Sequence, residues 1–325
     1  MAQWKCSQGH NWKAPVCNRA RHKRASGCPA CRFSKNRSAS EVEILNYVKQ
    51  LLPGDDVISS DRELVSPYEV DIYIPSKNFA IEFNGVYWHS ENAGKDRLYH
   101  LKKQQMCRKK NVELFTVWED DYRENAELIH SMLAHKLGAS AQRGIYARDT
   151  IFSVLTAAEG VTFMDANHLQ KSHSASRYYG LRTLSDGKIV AVMGIKRSKK
   201  RHQIEIARFA ASAPVPGGFS KLLTNILRLE RYSSVEKIVS YSHNDHSWGE
   251  VYQKNGFTRV HDGTPGYFYV VNGRREHRLN YSPKRFKERD DLLFEEGMSE
   301  RELAAFNGLN RIWDCGSARW EKTLD

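Results

Sequence analysis

The sequence has 325 residues, of which 40% are hydrophobic and 27% are charged, and this composition excludes a disordered tail or a single mini-domain. The formal net charge of +12 favours a polyanionic partner such as nucleic acid, although an ordinary basic enzyme has the same balance. No apolar run approaches the roughly 18 residues of a membrane-spanning helix, and the N-terminus lacks the apolar core of a signal peptide. We therefore expect a cytoplasmic protein.

The first 37 residues form a basic, cysteine-rich segment. They contain nine lysine and arginine residues and no acidic residue, and four of the six cysteines lie there. In a reducing compartment such crowding indicates metal binding rather than disulfides. The ligand candidates form two pairs, Cys6 with His10 and Cys28 with Cys31. Three thiolates and one imidazole suit a tetrahedral Zn²⁺ ion.

The same segment resembles small zinc-ribbon modules of the form C-x-x-G-H-x-W followed by G-C-P-x-C, which occur beside nuclease domains. The zinc ion would have to supply most of the folding free energy, because so short a segment buries little apolar area. Cys17 lies outside the pattern and is an alternative to His10 as the fourth ligand. A loosely ordered basic tail is the alternative to a zinc site.

Residues 38–138 have the pattern of an α-β-β-α-β-α domain. Ser40 and Glu43 predict a capping box at the start of a helix that ends at Pro53. Glu41 shares a helical face with Ile44 in this helix, so we expect Glu41 to lie on or beside the buried face. Further along the chain the pattern predicts a hairpin at residues 69–84, a helix at 99–110, a strand at 113–118 and a helix at 124–137.

Two acidic residues interrupt the apolar strands of the predicted hairpin. Asp71 shares a face with Tyr73 and Glu82 shares a face with Asn84, so a suitable register would bring the two carboxylates together. Paired oxygen ligands suit Mg²⁺, and a carboxylate pair inside strands is costly without a cation. Two solvent-facing residues of an edge hairpin are the alternative.

The strings Ile81-Glu82-Phe83-Asn84-Gly85 and Tyr87-Trp88-His89, preceded by Asp71, resemble the PD-(D/E)xK nuclease superfamily in its very-short-patch-repair-like branch. That branch includes phage-encoded homing endonucleases, and for a phage protein the compartment would be the host-cell cytoplasm. The resemblance implies hydrolysis of DNA phosphodiester bonds with Mg²⁺.

The resemblance also implies roles for individual residues. Glu41 would support the site, Asp71 and Glu82 would bind Mg²⁺, and His89 would act as the general base. Asp96 would be the final acidic member of the constellation. Asn84 stands where many members of the superfamily have lysine, which leaves the choice between nicking and double-strand cleavage open.

Residues 139–290 predict a second α/β domain, and residues 291–325 predict a tail that packs on it. The string Pro216-Gly217-Gly218-Phe219-Ser220 and the string Tyr252-Gln-Lys254-Asn-Gly256-Phe257 resemble the GNAT acetyltransferase fold. The resemblance implies a cofactor loop at the glycines, but Pro214 or Val215 replaces the usual arginine or glutamine. A catalytically silent domain that contacts DNA is therefore our expectation, and the basic residues at positions 274, 275 and 278 suit phosphate contacts.

Taken together, the sequence predicts a mixed α/β protein with a zinc ribbon at residues 1–37, a PD-(D/E)xK restriction-endonuclease-like domain and a GNAT-like domain. The expected function is that of a Mg²⁺-dependent DNA endonuclease of homing type acting on double-stranded DNA. A repair or restriction endonuclease is one alternative. A DNA-associated N-acetyltransferase with a degenerate nuclease domain is the alternative from another class.

Overall fold

The computed structural model describes residues 2–6, 11–16, 38–198, 202–229 and 232–324. In this part of the chain the architecture is mixed α/β, as the sequence predicts. The chain divides into two compact units, residues 1–47 and residues 48–325, and each is described by itself.

The N-terminal unit contains a small hairpin and the start of a helix. Strands β1 (Ala2–Lys5) and β2 (Asn11–Ala14) pair antiparallel, and the indole nitrogen of Trp4 donates to the carbonyl of Ala14 at 3.1 Å. Helix α1 spans Ala39–Leu51. The hydroxyl of Ser38 accepts the backbone amide of Glu41 at 3.0 Å, so the helix is capped two residues earlier than the predicted Ser40 cap.

The first sheet of the larger unit has the strand order β3-β4-β5-β6. Its strands are β3 (Ile58–Asp61), β4 (Val70–Ile74), β5 (Phe79–Asn84) and β6 (Glu113–Trp118). Strands β4 and β5 form the predicted antiparallel hairpin, whereas β5 and β6 run parallel. Helices α2 (Tyr99–Lys109) and α3 (Glu119–Lys136) both pack on β6. Strand β3 was not predicted, because its sequence Ile-Ser-Ser-Asp is short and largely polar.

The second sheet has the order β12-β16-β11-β10-β9-β8-β7. Its strands are β7 (Thr150–Leu155), β8 (Arg177–Thr183), β9 (Ile189–Arg197), β10 (Gln203–Ala211), β11 (Lys237–His243), β12 (Thr258–Asp262) and β16 (Ser317–Thr323). Helix α4 (Ala157–Asn167) follows β7, α5 (Gly218–Leu227) follows β10, and α6 (Glu250–Lys254) follows β11. The buried side of α5 contributes Leu222 and Ile226 to the core of this sheet.

A third, smaller sheet has the order β14-β13-β15 and lies in the chain between β12 and β16. Its strands are β13 (Tyr267–Val271), β14 (Arg274–His277) and β15 (Asn310–Trp313), and helices α7 (Pro283–Lys287) and α8 (Glu300–Phe306) separate β14 from β15. The expected C-terminal tail differs from the structure, because β16 lies inside the second sheet between β11 and β12. Ala318 and Trp320 of β16 are buried in the core of that sheet.

Candidate functional site

The predicted carboxylate pair lies at the end of the β4–β5 hairpin. Ile72 pairs with Ile81, so Asp71 stands opposite Glu82 one step further along the same ladder. Directly opposite residues have their side chains on the same face of a sheet. The structure therefore brings Asp71 and Glu82 together, as the alternation of the sequence predicts.

A lysine of helix α2 neutralises this pair. The ammonium of Lys103 is hydrogen-bonded to the carboxylate of Glu82, and the two side chains are 3% and 5% exposed. Burial lowers the pKa of Lys103, but the charge and hydrogen bond of Glu82, together with Tyr99 and Asp71, outweigh burial and raise the pKa above its ordinary value. The cation that a buried carboxylate pair requires is therefore supplied by the protein itself.

Asp71 has a strongly perturbed carboxyl group. Its Oδ2 atom accepts the backbone amide of Phe83 at 2.7 Å. Burial and the charge of Glu82 raise the pKa of Asp71 to about 8, so the group is largely protonated at neutral pH. In the part of the chain that the structure describes, no group of three or more His, Cys, Asp or Glu residues is arranged to hold a metal ion. Glu82 already holds the ammonium of Lys103 where the sequence led us to expect Mg²⁺, and we derive no reaction step through that ion.

His89 is close enough to Lys103 to be affected by its charge. Its imidazole stacks on that of His100 with ring centroids 5.2 Å apart, and the amide nitrogen of Asn84 lies 3.3 Å from Nδ1 of His100. Burial, followed by the charge of His100 and of Lys103, holds the pKa of His89 well below its ordinary value. Burial lowers the pKa of His100 to about 4. Both imidazoles are thus neutral at physiological pH, and Lys103 is the neighbour that Asp71, Glu82 and His89 share.

Lys103 is a residue that sequence reasoning left out of the site, although a signal for it exists. His100, Lys103, Gln104 and Cys107 are the buried residues of α2, and they follow the i, i+3, i+4, i+7 spacing of one helical face. The sequence allows the basic residues of α2, Lys103 among them, either to line an approach for DNA or to form a solvated helix face, and neither interpretation singles out Lys103. Because α2 has few apolar residues, this spacing predicts that its buried face contains polar side chains.

One predicted site residue of the larger unit, Asp96, is not brought to this pair. Asp96 is exposed, and its Oδ1 atom accepts the backbone amide of Leu98 at 2.8 Å, which caps the turn before α2. Glu41 belongs to the N-terminal unit, where it is half-buried in the first turn of α1. Of the predicted zinc ligands, Cys6 lies directly after β1, whereas His10, Cys28 and Cys31 lie outside the described residues, as does Cys17.

Arg275 of the basic tip is paired inside the protein rather than free for the expected phosphate contact. Arg275 donates to Asp120 at 2.8 Å and to Asp121 at 2.6 Å, and its guanidinium lies 4.5 Å from the ring centroid of Trp118. The side chain is 11% exposed. Arg275 therefore ties β14 to the start of α3 and is neutralised there.

The second sheet contains an opening between two parallel strands. Residues 203–206 of β10 pair with residues 237–240 of β11, and the pairing ends there. Beyond these residues β10 remains paired with β9 on its other edge, and β11 remains paired with β16 on its other edge. The pairing of β10 with β9 shifts its register between Ile206 and Arg208. The two strands therefore part at their carboxyl ends, and a bulge marks the place.

Three side chains mark this opening. The hydroxyl of Ser240 donates to the carbonyl of Ile206 at 3.0 Å and lies 2.9 Å from the hydroxyl of Tyr252 on α6. Burial raises the pKa of Tyr252, so its hydroxyl is protonated at physiological pH. The guanidinium of Arg208 reaches the carbonyl of Lys171 at 3.3 Å, and burial lowers its pKa.

The turn from β10 to α5 is built by two glycines. Gly217 has a φ of +77° at the cap of α5, a conformation that glycine adopts at little cost. A Cβ atom on Gly218 would lie 2.8 Å from the side chain of Val215, so the backbone there is closely packed. The free amides of the first turn of α5 start directly after these glycines, which is the usual geometry of an anion site.

The turn after β11 contains a cluster of charged side chains. Nδ1 of His243 lies 3.5 Å from Asp245 and Nε2 lies 3.8 Å from Asp314. Burial lowers the pKa of His243, but the hydrogen bond and charge of Asp245 and the charge of Asp314 outweigh burial and raise it. Asp245 also accepts the indole N–H of Trp118 at 3.1 Å and the amide of Cys315 at 3.0 Å. The cluster thus joins β6, β11 and β15, and supports a structural interpretation.

Two comparisons with known proteins give matches, one with a family model and one with solved structures. Residues 1–33 match a family model described as a probable treble clef zinc finger domain. That match supports a structural zinc ion in the N-terminal segment. A search of curated proteins gives no match.

Several acetyltransferases are among the solved structures that match. One is a Bacillus subtilis acetyltransferase in complex with CoA, 14% identical, with a TM-score of 0.31 over 54% of this chain and 99% of that chain. Another is a GNAT family acetyltransferase from Elizabethkingia anophelis with acetyl-CoA bound, 14% identical, with a TM-score of 0.30 over 54% of this chain and 99% of that chain. A third is the ribosomal-protein-S18-alanine N-acetyltransferase of Escherichia coli, 10% identical, with a TM-score of 0.32 over 54% of this chain and 94% of that chain.

These comparisons contradict the expected endonuclease. The matched structures are transferases rather than hydrolases acting on DNA, and the prediction of a homing, repair or restriction nuclease is wrong on that account. The nuclease prediction came from the sequence strings around Glu82 and His89. A carboxylate pair in a hairpin is typical of a metal site, and the sequence does not show that Lys103 binds Glu82. Separately, no helix in the described ranges combines the length and apolar character needed to cross a membrane.

Proposed function

We propose that the chain is a DNA-associated N-acetyltransferase whose acetyl-CoA site lies in the second sheet. The observation that carries the proposal is the parting of β10 and β11 after Ile206 and Ser240. Parallel strands in the middle of a sheet normally stay paired along their length, since each unpaired backbone group forfeits a hydrogen bond. A gap there leaves one edge of β10 able to pair with an extended ligand.

The glycine turn extends the proposed site towards a phosphate group. Gly217 and Gly218 connect β10 to α5, so the amides of the first helical turn lie at the end of the strand that forms the gap. A helix N-terminus attracts anions through its free N–H groups and its dipole. The pyrophosphate of CoA suits this end, and its extended arm suits the edge of β10.

Tyr252 has the position and protonation state of a proton donor. Its hydroxyl lies against Ser240, the last residue of β11 that pairs with β10, and its pKa is raised by burial. In the proposed step an amine nitrogen attacks the thioester carbonyl, the C–N bond forms and the C–S bond breaks. The leaving thiolate takes the hydroxyl proton of Tyr252, and the amine releases its proton to water.

Acetyl-CoA binding is the first test of this proposal. We expect calorimetric titration of the full chain with acetyl-CoA to show one site, and we expect release of free thiol when a panel of primary amines is added. Tyr252→Phe should keep the affinity for acetyl-CoA and lower kcat about 10²-fold or more, since it removes only the proton donor. Tyr241→Phe is the matched control, because Tyr241 is exposed on the neighbouring strand. Absence of acetyl-CoA binding overturns the proposal.

DNA association rests on the N-terminal segment. Residues 1–37 contain nine basic and no acidic residues, and Arg19, Arg21, Lys23 and Arg24 lie between the two pairs of proposed zinc ligands, Cys6 with His10 and Cys28 with Cys31. Contacts to phosphates give affinity without sequence preference and weaken as salt rises. We expect double-stranded DNA to bind with an affinity that falls as salt rises. The double variant Arg21→Gln, Arg24→Gln should reduce the slope of log K against log salt concentration by about two. An unchanged slope would argue against this segment as the contact.

A further inference from the structure

A large cleft lies between helix α2 and the β12–β13 region, and it shares no residue with the proposed acetyl-CoA site. Its volume is about 1170 Å³, which is the size of a site for a small molecule. We call it the α2 cleft. On one side it is lined by residues of α2 and of the turn before that helix, and on the other side by Asn244, Arg259 and residues 262–265.

The α2 cleft is basic. Arg97, Arg108, Lys109 and Arg259 line it, against the two acidic residues Asp96 and Asp262. Asp262 is bound by Arg259, whose Nε donates to it at 2.7 Å, and Asp96 is partly paired with Lys102. The lining therefore has an excess of positive charge that its own carboxylates leave uncompensated.

Arg108 lines the cleft from α2, and Arg259 lines it from the opposite side. Both arginines line the same cleft, and burial followed by the positive charge of Arg259 lowers the pKa of Arg108, so the two guanidiniums repel each other. Arg108 lies 5.3 Å from the ring centroid of Trp248, and among the described residues it forms no salt bridge. An anion between the two guanidiniums would remove the repulsion.

Buried donors of the cleft lack acceptors. Gln104 is 2% exposed and lines the cleft, and its amide nitrogen has no hydrogen-bond partner in the described part of the chain. The Nη1 atom of Arg259 is likewise buried without a partner there. A buried donor without an acceptor costs free energy, so these two groups indicate that an acceptor-rich ligand completes the site.

From these observations we infer that the α2 cleft binds a small phosphate-bearing molecule of nucleotide size. A phosphate group offers about two negative charges and several acceptor oxygens, which match the two guanidiniums and the Gln104 amide. Leu98, Leu101 and Pro265 provide an apolar surface for the uncharged part of the ligand. The inference does not depend on acetyl transfer, because the residues involved are different.

The test is calorimetric titration of the full chain with AMP, with inorganic pyrophosphate and with a short DNA duplex. We expect AMP and pyrophosphate to bind, and Arg108→Gln to weaken both about tenfold or more, since a charge-assisted hydrogen bond is lost. Lys109→Gln, at an exposed position, should weaken them several-fold without affecting the fold. Arg285→Gln makes the same charge change at an exposed residue of α7 and should change nothing.

Other outcomes overturn the inference. Binding of the duplex alone would make the cleft a nucleic-acid contact, and equal weakening by Arg285→Gln would reduce the effect to general charge attraction. No binding of AMP or pyrophosphate would leave the cleft without a small ligand of this class. Acetyl-CoA binding should be unaffected by Arg108→Gln, so failure here and failure of the proposed acetyltransferase are separate results.

Discussion

The ammonium of Lys103 is hydrogen-bonded to the carboxylate of Glu82 across the space between α2 and β5, and both side chains are almost wholly buried. Asp71 stands opposite Glu82 on the neighbouring strand and shares the same lysine. One positive charge thus serves two acidic groups, and the proton retained by Asp71 balances the remainder. The site is neutral as a whole, which is the condition for burying three ionisable groups.

Removing the lysine should be strongly destabilising. Lys103→Met leaves Glu82 buried without its counter-charge, and we expect the free energy of unfolding to fall by about 3–5 kcal/mol. Urea denaturation of the variant measures this change. Lys102→Met is the matched control, because Lys102 is 46% exposed on the same helix and should alter stability by about 0.5 kcal/mol or less. If Lys103→Met lowered the free energy of unfolding by only about 0.5 kcal/mol, as expected for the control, Glu82 would take up a proton at no appreciable cost.

Asp71 predicts a pH dependence of stability. Its pKa rises from an ordinary value near 4 in the unfolded chain to about 8 in the folded protein, so folding binds a proton between these values. The contribution of Asp71 to stability is therefore complete below pH 4 and is lost as pH rises to about 8. Asp71→Asn keeps an acceptor for the amide of Phe83 and removes the titration. About four pKa units, at about 1.4 kcal/mol each, give the size of the effect, so we expect the variant to be more stable than the parent by about 5 kcal/mol at pH 8 and to match it near pH 4.

The measurement is chemical denaturation of both proteins at a series of pH values. The difference between the two free energies of unfolding isolates Asp71, since every other titrating group is common to both. A difference that stays constant from pH 4 to pH 8 would contradict the raised pKa.

Sequence periodicity predicted the strands well where both faces are apolar. Strand β6 has the predicted bounds, and β5 ends at the predicted Asn84. Alternation also placed Asp71 and Glu82 on one face, because the side-chain period of a strand is a geometric constant. Polar strands such as β3 carry no such signal, and β3 was therefore missed.

The chemistry of the pair was not accessible from the same patterns. Whether two buried carboxylates bind a metal or a lysine depends on which helix face packs over them, and that packing joins residues 21 positions apart in the chain. The position of β16 is a similar case. It enters the sheet between β11 and β12 only after the segment of β13–β15 has intervened, and no local pattern encodes such a return. Contacts between residues far apart in the chain therefore limited what the sequence could predict about both the site and the topology.

Arg275 should stabilise the fold through the geometry of its guanidinium group rather than through its charge alone. It contacts Asp120 and Asp121 together through a planar fork that a lysine does not reproduce. We expect Arg275→Lys to lower the free energy of unfolding by about 1–3 kcal/mol, as measured in urea. Arg274→Lys, at a neighbouring residue that is 61% exposed, should stay within about 0.5 kcal/mol of the parent. Equal effects would show that charge alone matters at this turn.

Zinc content tests the ligand set of the N-terminal segment. We expect about one equivalent of zinc in protein purified under reducing conditions, and a large loss of bound metal in Cys28→Ser. The fourth ligand is decided by comparing His10→Asn with Cys17→Ser, since only the true ligand should lower the zinc affinity. Less than about half an equivalent in the parent protein would count against four-ligand coordination.

Gly249 should tolerate no side chain. Its φ is +85°, and a Cβ atom there would lie 2.8 Å from Nε1 of Trp320, a ring that is buried in the core of the second sheet. Gly187 is the matched control, because its φ of +68° imposes a similar backbone cost while nothing lies within 4 Å of its Cβ position. Gly187→Ala should therefore cost about 1 kcal/mol, which is the backbone term alone.

Gly249→Ala should cost about 1–3 kcal/mol more than Gly187→Ala, because Trp320 or the turn before α6 must shift to make room. The difference between the two variants measures the steric term, since the backbone term is common to both. The indole of Trp320 also donates to Ser242 at 2.9 Å, so a shift of the ring breaks a buried hydrogen bond and adds to the cost. Equal losses in the two variants would mean that the ring moves freely, which its packing between α6 and β11 argues against.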